Sequence, residues 1–158
     1  MKRILSILLE NESGSLSRVI GLFSQRGYNI ESLTVSTTED PSLSQLTIQT
    51  VGDEKILEQI GKQLHKLIDV LKVSEINTID CIEREIILIK TGNICKKKRR
   101  IKDIVDIFEG KIISLTTKGY IIQITGSSKK INAFLELIKK YINILDLSRS
   151  GIIRINRN

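Results

Sequence analysis

At 158 residues, the chain has room for one ordinary domain or two small ones. Its 41% apolar content supports a globular core, but aromatics are only 4% and Trp is absent, so that core must be aliphatic. No apolar run approaches the ~20 residues of a membrane span, and the +7 formal charge divides unevenly: residues 1–80 hold 8 basic and 11 acidic side chains, residues 81–158 hold 17 and 7.

The first half predicts strand, helix, strand, strand, helix, strand. Arg3–Leu9 carries the apolar run Ile4, Leu5, Ile7, Leu8 and Leu9 of a buried strand. Leu16, Val19, Ile20 and Phe23 recur at i, i+3, i+4, i+7, which predicts a helix from Ser15 to Arg26 with Gly27 at its C′ position. A strand over Asn29–Thr37, with Leu33 and Val35 inward, leads to a turn at Asp40-Pro41-Ser42. Ser44–Val51 alternates Leu46 and Ile48 with polar Thr47 and Gln49. Asp53 is placed to cap a helix that sets Leu57, Ile60, Leu64 and Leu67 on one face, with His65 in mid-helix. Val70–Ile76 closes the half as a strand.

The second half repeats this order. Glu85–Lys90 reads as a strand, and Ile101, Ile104, Val105 and Phe108 as a helical stripe ended by Gly110. Lys111–Thr116 and Tyr120–Thr125 form a hairpin through Lys118-Gly119. Ser127 or Ser128 caps a helix striped by Ile131, Phe134, Leu135, Ile138 and Ile142, before short strands near Leu145–Leu147 and Ile152–Ile155. The fold class is therefore α+β, two βαββαβ ferredoxin-like modules, 1–78 and 79–158, with the boundary near Asn77–Glu83. Modules this small bury limited cores, so oligomerisation is expected to help.

Asn11 and Gly14 lie where the first strand passes into the first helix. Two readings fit. Asn and Gly are ordinary turn residues. Equally, a helix N-terminus offers unpaired N–H groups and partial positive charge to a carboxylate, with Gly14 admitting close approach and Asn11 able to donate and accept. Elsewhere catalytic chemistry is sparse. The single histidine, His65, has no cluster around it; Cys81 and Cys95 have no metal spacing and read as free thiols in a reducing compartment; Glu83 and Glu85 read as a solvated rim. No phosphate-loop, dinucleotide or nucleophile-elbow motif occurs. Met1-Lys2-Arg3-Ile4 passes directly into a strand, which does not fit a secretion signal, so a cytoplasmic location is expected. The run Lys96-Lys97-Lys98-Arg99-Arg100 could grip phosphates or meet an acidic protein surface, but no aromatic is interleaved for base stacking.

The stretch from Leu9 to Val35, with Gly27-Tyr28-Asn29-Ile30-Glu31-Ser32-Leu33 at its centre, resembles the small regulatory subunit of acetolactate synthase, as do Leu46–Glu54 and, further on, Gln63–Val70. The likeness is close over 2–76 and looser from 83 onward. It implies an N-terminal ACT domain that pairs with a second copy and binds an amino acid, then a C-terminal ferredoxin-like domain. It implies a non-catalytic, cofactor-free homodimer that activates a large catalytic subunit carrying thiamine diphosphate, magnesium and FAD. Valine would be the allosteric effector, giving feedback inhibition of branched-chain amino-acid biosynthesis. The residues implied for the effector are Asn11, Gly14, Ser15 and Leu16, with Asn29 and Ile30 from the opposite subunit. N–H groups around Ser15 and Leu16 would take the carboxylate, Asn11 and Asn29 the ammonium, and Leu16 and Ile30 the aliphatic side chain. The alternatives are a free-standing amino-acid sensor acting on nucleic acid through the basic half, and an enzyme with an unrecognised site.

Overall fold

The computed structural model describes residues 2–76, 81–92, 98–116 and 119–157. Cys95, Lys96, Lys97, Lys118 and most of the expected boundary lie outside the described residues. The chain runs β1 (Lys2–Glu10), α1 (Ser15–Gln25), β2 (Ile30–Thr37), β3 (Leu43–Val51), α2 (Glu54–Leu64), β4 (Val70–Glu75), β5 (Cys81–Thr91), α3 (Lys98–Ile107), β6 (Lys111–Thr116), β7 (Gly119–Gly126), α4 (Ser128–Ile138), β8 (Ile144–Arg149) and β9 (Ile153–Asn156). It divides into two compact units, Met1–Ile82 with Ile152–Asn158, and Glu83–Gly151. Each carries the βαββαβ order.

In the first unit the strand order is β2-β3-β1-β4, with antiparallel pairing throughout. Ile7, Leu9, Leu46 and Ile48 from the central strands meet Val19 and Phe23 of α1 and Leu57, Ile60 and Leu64 of α2. α1 closes with a left-handed Gly27 (φ 69°), whose N–H donates to Ser24 O at 3.1 Å while Tyr28 N–H donates to Phe23 O at 2.9 Å. The Tyr28 ring then meets the Phe23 edge at 6.1 Å between centroids, sealing the turn with an apolar contact. Asp53 caps α2, accepting from Ile56 N–H at 2.8 Å. A third small cluster joins Ile4, Ile76 and Ile152, with Cys81 against it.

Three expectations in this unit give way. Val35 is 42% exposed on the edge strand β2; of the pair expected inward, Leu33 alone packs against the core. Thr47 is buried, since β3 lies between two strands. α2 stops at Leu64, where Lys66 N–H and Leu67 N–H turn back to Gln63 O and Leu64 O; His65 is thus an exposed C-cap, and Leu67 packs from the following turn.

The second unit orders its strands β6-β7-β5-β8, while β9, expected in the 79–158 module, falls within the first unit. Ile87, Ile89, Ile122 and Ile124 from the sheet meet Ile101, Ile104 and Val105 of α3 and Ile131, Phe134 and Ile138 of α4. Ser127 caps α4, accepting from Lys130 N–H. The residue that turns left-handed after α3 is Glu109 (φ 54°), not Gly110; Gly110 is instead pressed against Ile124 and Val105, where a Cβ would lie 2.2 Å from Ile124 Cδ1. Nor are Glu83 and Glu85 a solvated rim. Glu85 is buried and accepts from Arg149 Nε at 2.7 Å and Nη2 at 2.6 Å, and Glu83 accepts from the Ser128 N–H at the head of α4 at 2.6 Å.

Candidate functional site

β1 delivers the chain to a loop, residues 11–14, that is held from two sides. Asn11 N–H donates to Ser42 O at 2.7 Å, Asn11 Nδ2 to Pro41 O at 2.9 Å, and the Ser44 hydroxyl to Asn11 Oδ1 at 3.0 Å. The turn that Asn11 grips is itself fixed by Asp40, which accepts from Ser42 N–H (2.9 Å) and Oγ–H (2.6 Å); those bonds hold the Asp40 carboxyl below its usual range. On the other side, Glu10 N–H donates to Asp69 O at 2.9 Å, and Arg18 Nε and Nη2 donate to the two oxygens of the buried Asp69 carboxylate. The Arg18 bond lowers the Asp69 pKa and raises that of Arg18.

Gly14 opens α1 in the left-handed region (φ 90°) without a side-chain cap. Ser15 N–H donates to Glu12 O at 3.2 Å. The N–H groups of Leu16 and Ser17 have no acceptor among the described residues, and neither has the Ser15 hydroxyl, although Ser15 is only 1% exposed. A buried hydroxyl and bare helix N–H groups at one glycine-lined turn form a donor set suited to an anion. Beside it, an open groove of about 500 Å³ runs along α1 past Gly21 to Gln25 and Arg26, with Gln63 and Leu67 on its other wall.

Asn29 and Ile30 are set by different elements. Asn29 follows the α1 turn, and its carbonyl accepts from the buried Thr50 hydroxyl at 2.6 Å. Ile30 starts β2 opposite Thr50, whereas Glu10, just before Asn11, stands opposite Leu43 at the other end of β3. Seven residues of strand separate these registers, roughly 24 Å. The structure thus brings Asn11, Gly14, Ser15 and Leu16 together at one end of the sheet and holds Asn29 and Ile30 at the other. Leu16 and Ile30 each pack partly into the core, leaving part of their aliphatic surface outward.

Sequence reasoning missed Arg18 and Asp69. Arg18 lies one helical turn beyond Gly14, which was a usable signal; its partner, 51 residues away, was not. The basic run is described from Lys98. Lys98, Arg99, Arg100 and Lys102 are exposed at the start of α3, and the Arg100 guanidinium lies 4.6 Å from the Tyr141 ring centroid. Among the described residues no group of His, Cys, Asp or Glu is arranged to hold a metal, and no helix is long and apolar enough to cross a membrane.

The first βαββαβ unit, with its open helix start, is an ACT-type module, and a second unit of the same order follows it. Residues 5–72 match the family model described as the AHAS small subunit-like ACT domain, and residues 84–158 match that of the small subunit of acetolactate synthase. The acetolactate synthase small subunit of Buchnera aphidicola subsp. Baizongia pistaciae is 60% identical over 99% of this chain and 98% of its own. The isozyme 3 small subunit of Escherichia coli K12 is 57% identical over 99% and 96%. The crystal structure of the Thermotoga maritima small subunit superposes with a TM-score of 0.90 at 40% identity, covering 100% and 98%. The chain belongs to the acetolactate synthase small-subunit family. It is the regulatory, non-catalytic partner of a large catalytic subunit in branched-chain amino-acid biosynthesis, and the nucleic-acid sensor is not favoured.

Proposed function

We propose that two copies of the chain pair to form a shared effector site for valine. Occupation of that site reverses the activation that the small subunit confers on the large one. The observation that carries this reading is the donor set at the head of α1, where, among the described residues, the buried Ser15 Oγ and the N–H groups of Leu16 and Ser17 have no partner. These would take the carboxylate. Asn11 keeps one donor and one acceptor valence beyond its bonds to Pro41 and Ser44, and would meet the ammonium with Asn29 of a second copy. The exposed parts of Leu16 and of the second copy's Ile30 would wall the side chain. The separation of the two groups along β3 supports a site built from two copies. The exposed Val35 on edge strand β2 supports pairing there.

Valine acts by binding the less active arrangement more tightly, with a coupling of about 1–3 kcal/mol. Thiamine diphosphate, magnesium and FAD belong to the large subunit on this reading, this chain holds no cofactor, and the assembly works in the cytoplasm. The test is reconstitution with the cognate large subunit. Acetolactate formation from pyruvate should rise several-fold on adding the chain and fall again on titrating valine. Pyruvate turnover by the chain alone, or stimulation that valine leaves untouched, refutes the corresponding part.

A further inference from the structure

We infer that Arg18 is an effector-contacting residue, its Nη1 being the side-chain donor that meets the amino-acid carboxylate at the head of α1. The inference rests on the effector reading above and assigns a residue which that reading does not include. Two of the three guanidinium nitrogens are committed, Nε and Nη2 each donating to one oxygen of Asp69. Nη1 has no acceptor among the described residues. It lies against the one loop position without a side chain: a Cβ built at Gly14 would stand 3.2 Å from Nη1 and 3.8 Å from Cζ. The same turn presents the unpaired N–H groups of Leu16 and Ser17 and the buried, unpartnered Ser15 hydroxyl.

A carboxylate has two oxygens. One fits the backbone donors of the helix start, and the other is left for the guanidinium. Asp69 holds that guanidinium in place before any ligand arrives, which lowers the ordering cost of binding. Asp69 itself is fixed, being buried and accepting Glu10 N–H through its carbonyl. A lysine in place of Arg18 cannot reproduce this, because a single ammonium cannot grip both Asp69 oxygens and also face the loop. The bond to Asp69 therefore does two things. It ties α1 to the turn before β4, and it aims the third nitrogen at Gly14.

Calorimetric titration of the full chain with L-valine and L-valinamide separates these roles, because valinamide keeps the side chain and ammonium but lacks the carboxylate. In the Arg18→Gln variant, valine affinity should fall about 10- to 100-fold, while valinamide affinity stays where it was. Arg18→Lys should recover only part of the loss. If both ligands fall together, Arg18 is a structural tie and the assignment is overturned; it is overturned equally if valine affinity is unchanged. Should Arg18→Gln fail to fold by thermal melting, Asp69→Asn provides the same comparison, with valine affinity expected to fall and valinamide to hold. A parent chain that binds none of valine, leucine and isoleucine overturns the effector reading together with this assignment. Valine binding that the Arg18 variants leave intact overturns the assignment alone.

Discussion

Gly14→Asp tests the head of α1 most directly, because the structure separates its effect on folding from its effect on binding. The φ of 90° at Gly14 is left-handed. A residue with a Cβ pays about 1 kcal/mol there, and Asp is among those that tolerate it best. Against a domain stability of about 5–15 kcal/mol, the fold survives, with a melting shift of about 4–8 °C. Binding suffers far more. The new Cβ stands 3.2 Å from Arg18 Nη1, so the added carboxylate occupies the space offered to the ligand. One charge-assisted hydrogen bond lost removes about 1.5–3 kcal/mol. Repulsion between two carboxylates ~4 Å apart adds up to ~4 kcal/mol at an effective dielectric of ~20. Valine affinity should therefore drop by at least about 10- to 150-fold. Calorimetry with valine, beside a melting curve, reads both quantities. Stimulation of the large subunit should persist, since it needs the folded surface and not an occupied site. Parental valine affinity in this variant would refute the placement of the carboxylate at the α1 start.

The other expectations rest on separate observations. Asn29→Ala should weaken valine binding about 5- to 150-fold, from roughly 1–3 kcal/mol of hydrogen bonding; the copies should still pair, because the Asn29 carbonyl keeps its bond from Thr50, and calorimetry with sedimentation checks both. Replacing Lys98, Arg99 and Arg100 with Gln should leave the melting temperature nearly unchanged but alter affinity for the large subunit in titrated activity assays; DNA binding at physiological salt that this variant loses would point to the nucleic-acid reading instead. Asp69 is held below the ordinary carboxylate value of about 3.9, so its ion pair with Arg18 contributes fully above that value and is lost as pH falls through the lower folded-state one. The parent's stability should thus fall more steeply below about pH 4 than that of Asp69→Asn, as acid-unfolding curves would show.

Local patterns in the sequence carry the elements well and the partners poorly. The i, i+3, i+4, i+7 stripe at Leu16, Val19, Ile20 and Phe23 and the glycine at 27 place α1 and its closing turn, because both depend on residues within a few positions of each other. Val35 reads as inward because it shares a face with Leu33, but its position on an edge strand leaves it uncovered, and strand order does not show in a period of two. Glu85 reads as a rim residue because charges at strand starts usually are; its burial depends on Arg149, 64 residues on. The candidate site follows the same rule. Gly14 and the start of α1 are apparent locally. The fixing of Asn11 by Pro41 and Ser44, and of Arg18 by Asp69, are meetings of distant segments that periodicity cannot show.

The separation of Asn11 from Asn29 along β3 has a consequence for regulation. If one carboxylate site sits at each α1 start and needs Asn29 and Ile30 from the other copy, a twofold pair holds two sites, each closed only by pairing. Effector binding and pairing are then linked by mass action. At a free valine concentration 100 times its dissociation constant, each site stabilises the pair by about 2.7 kcal/mol. Two sites together lower the pair's dissociation constant by about four decades. The effector would work as a clamp, holding the two ACT units in one arrangement. Any arrangement that splits the shared site while stimulating the large subunit would be disfavoured by the same amount. A dilution series by sedimentation velocity, with and without valine, measures this shift without the large subunit. Valine that binds yet leaves pair dissociation unmoved would mean a site contained within one copy, and would remove Asn29 and Ile30 from it.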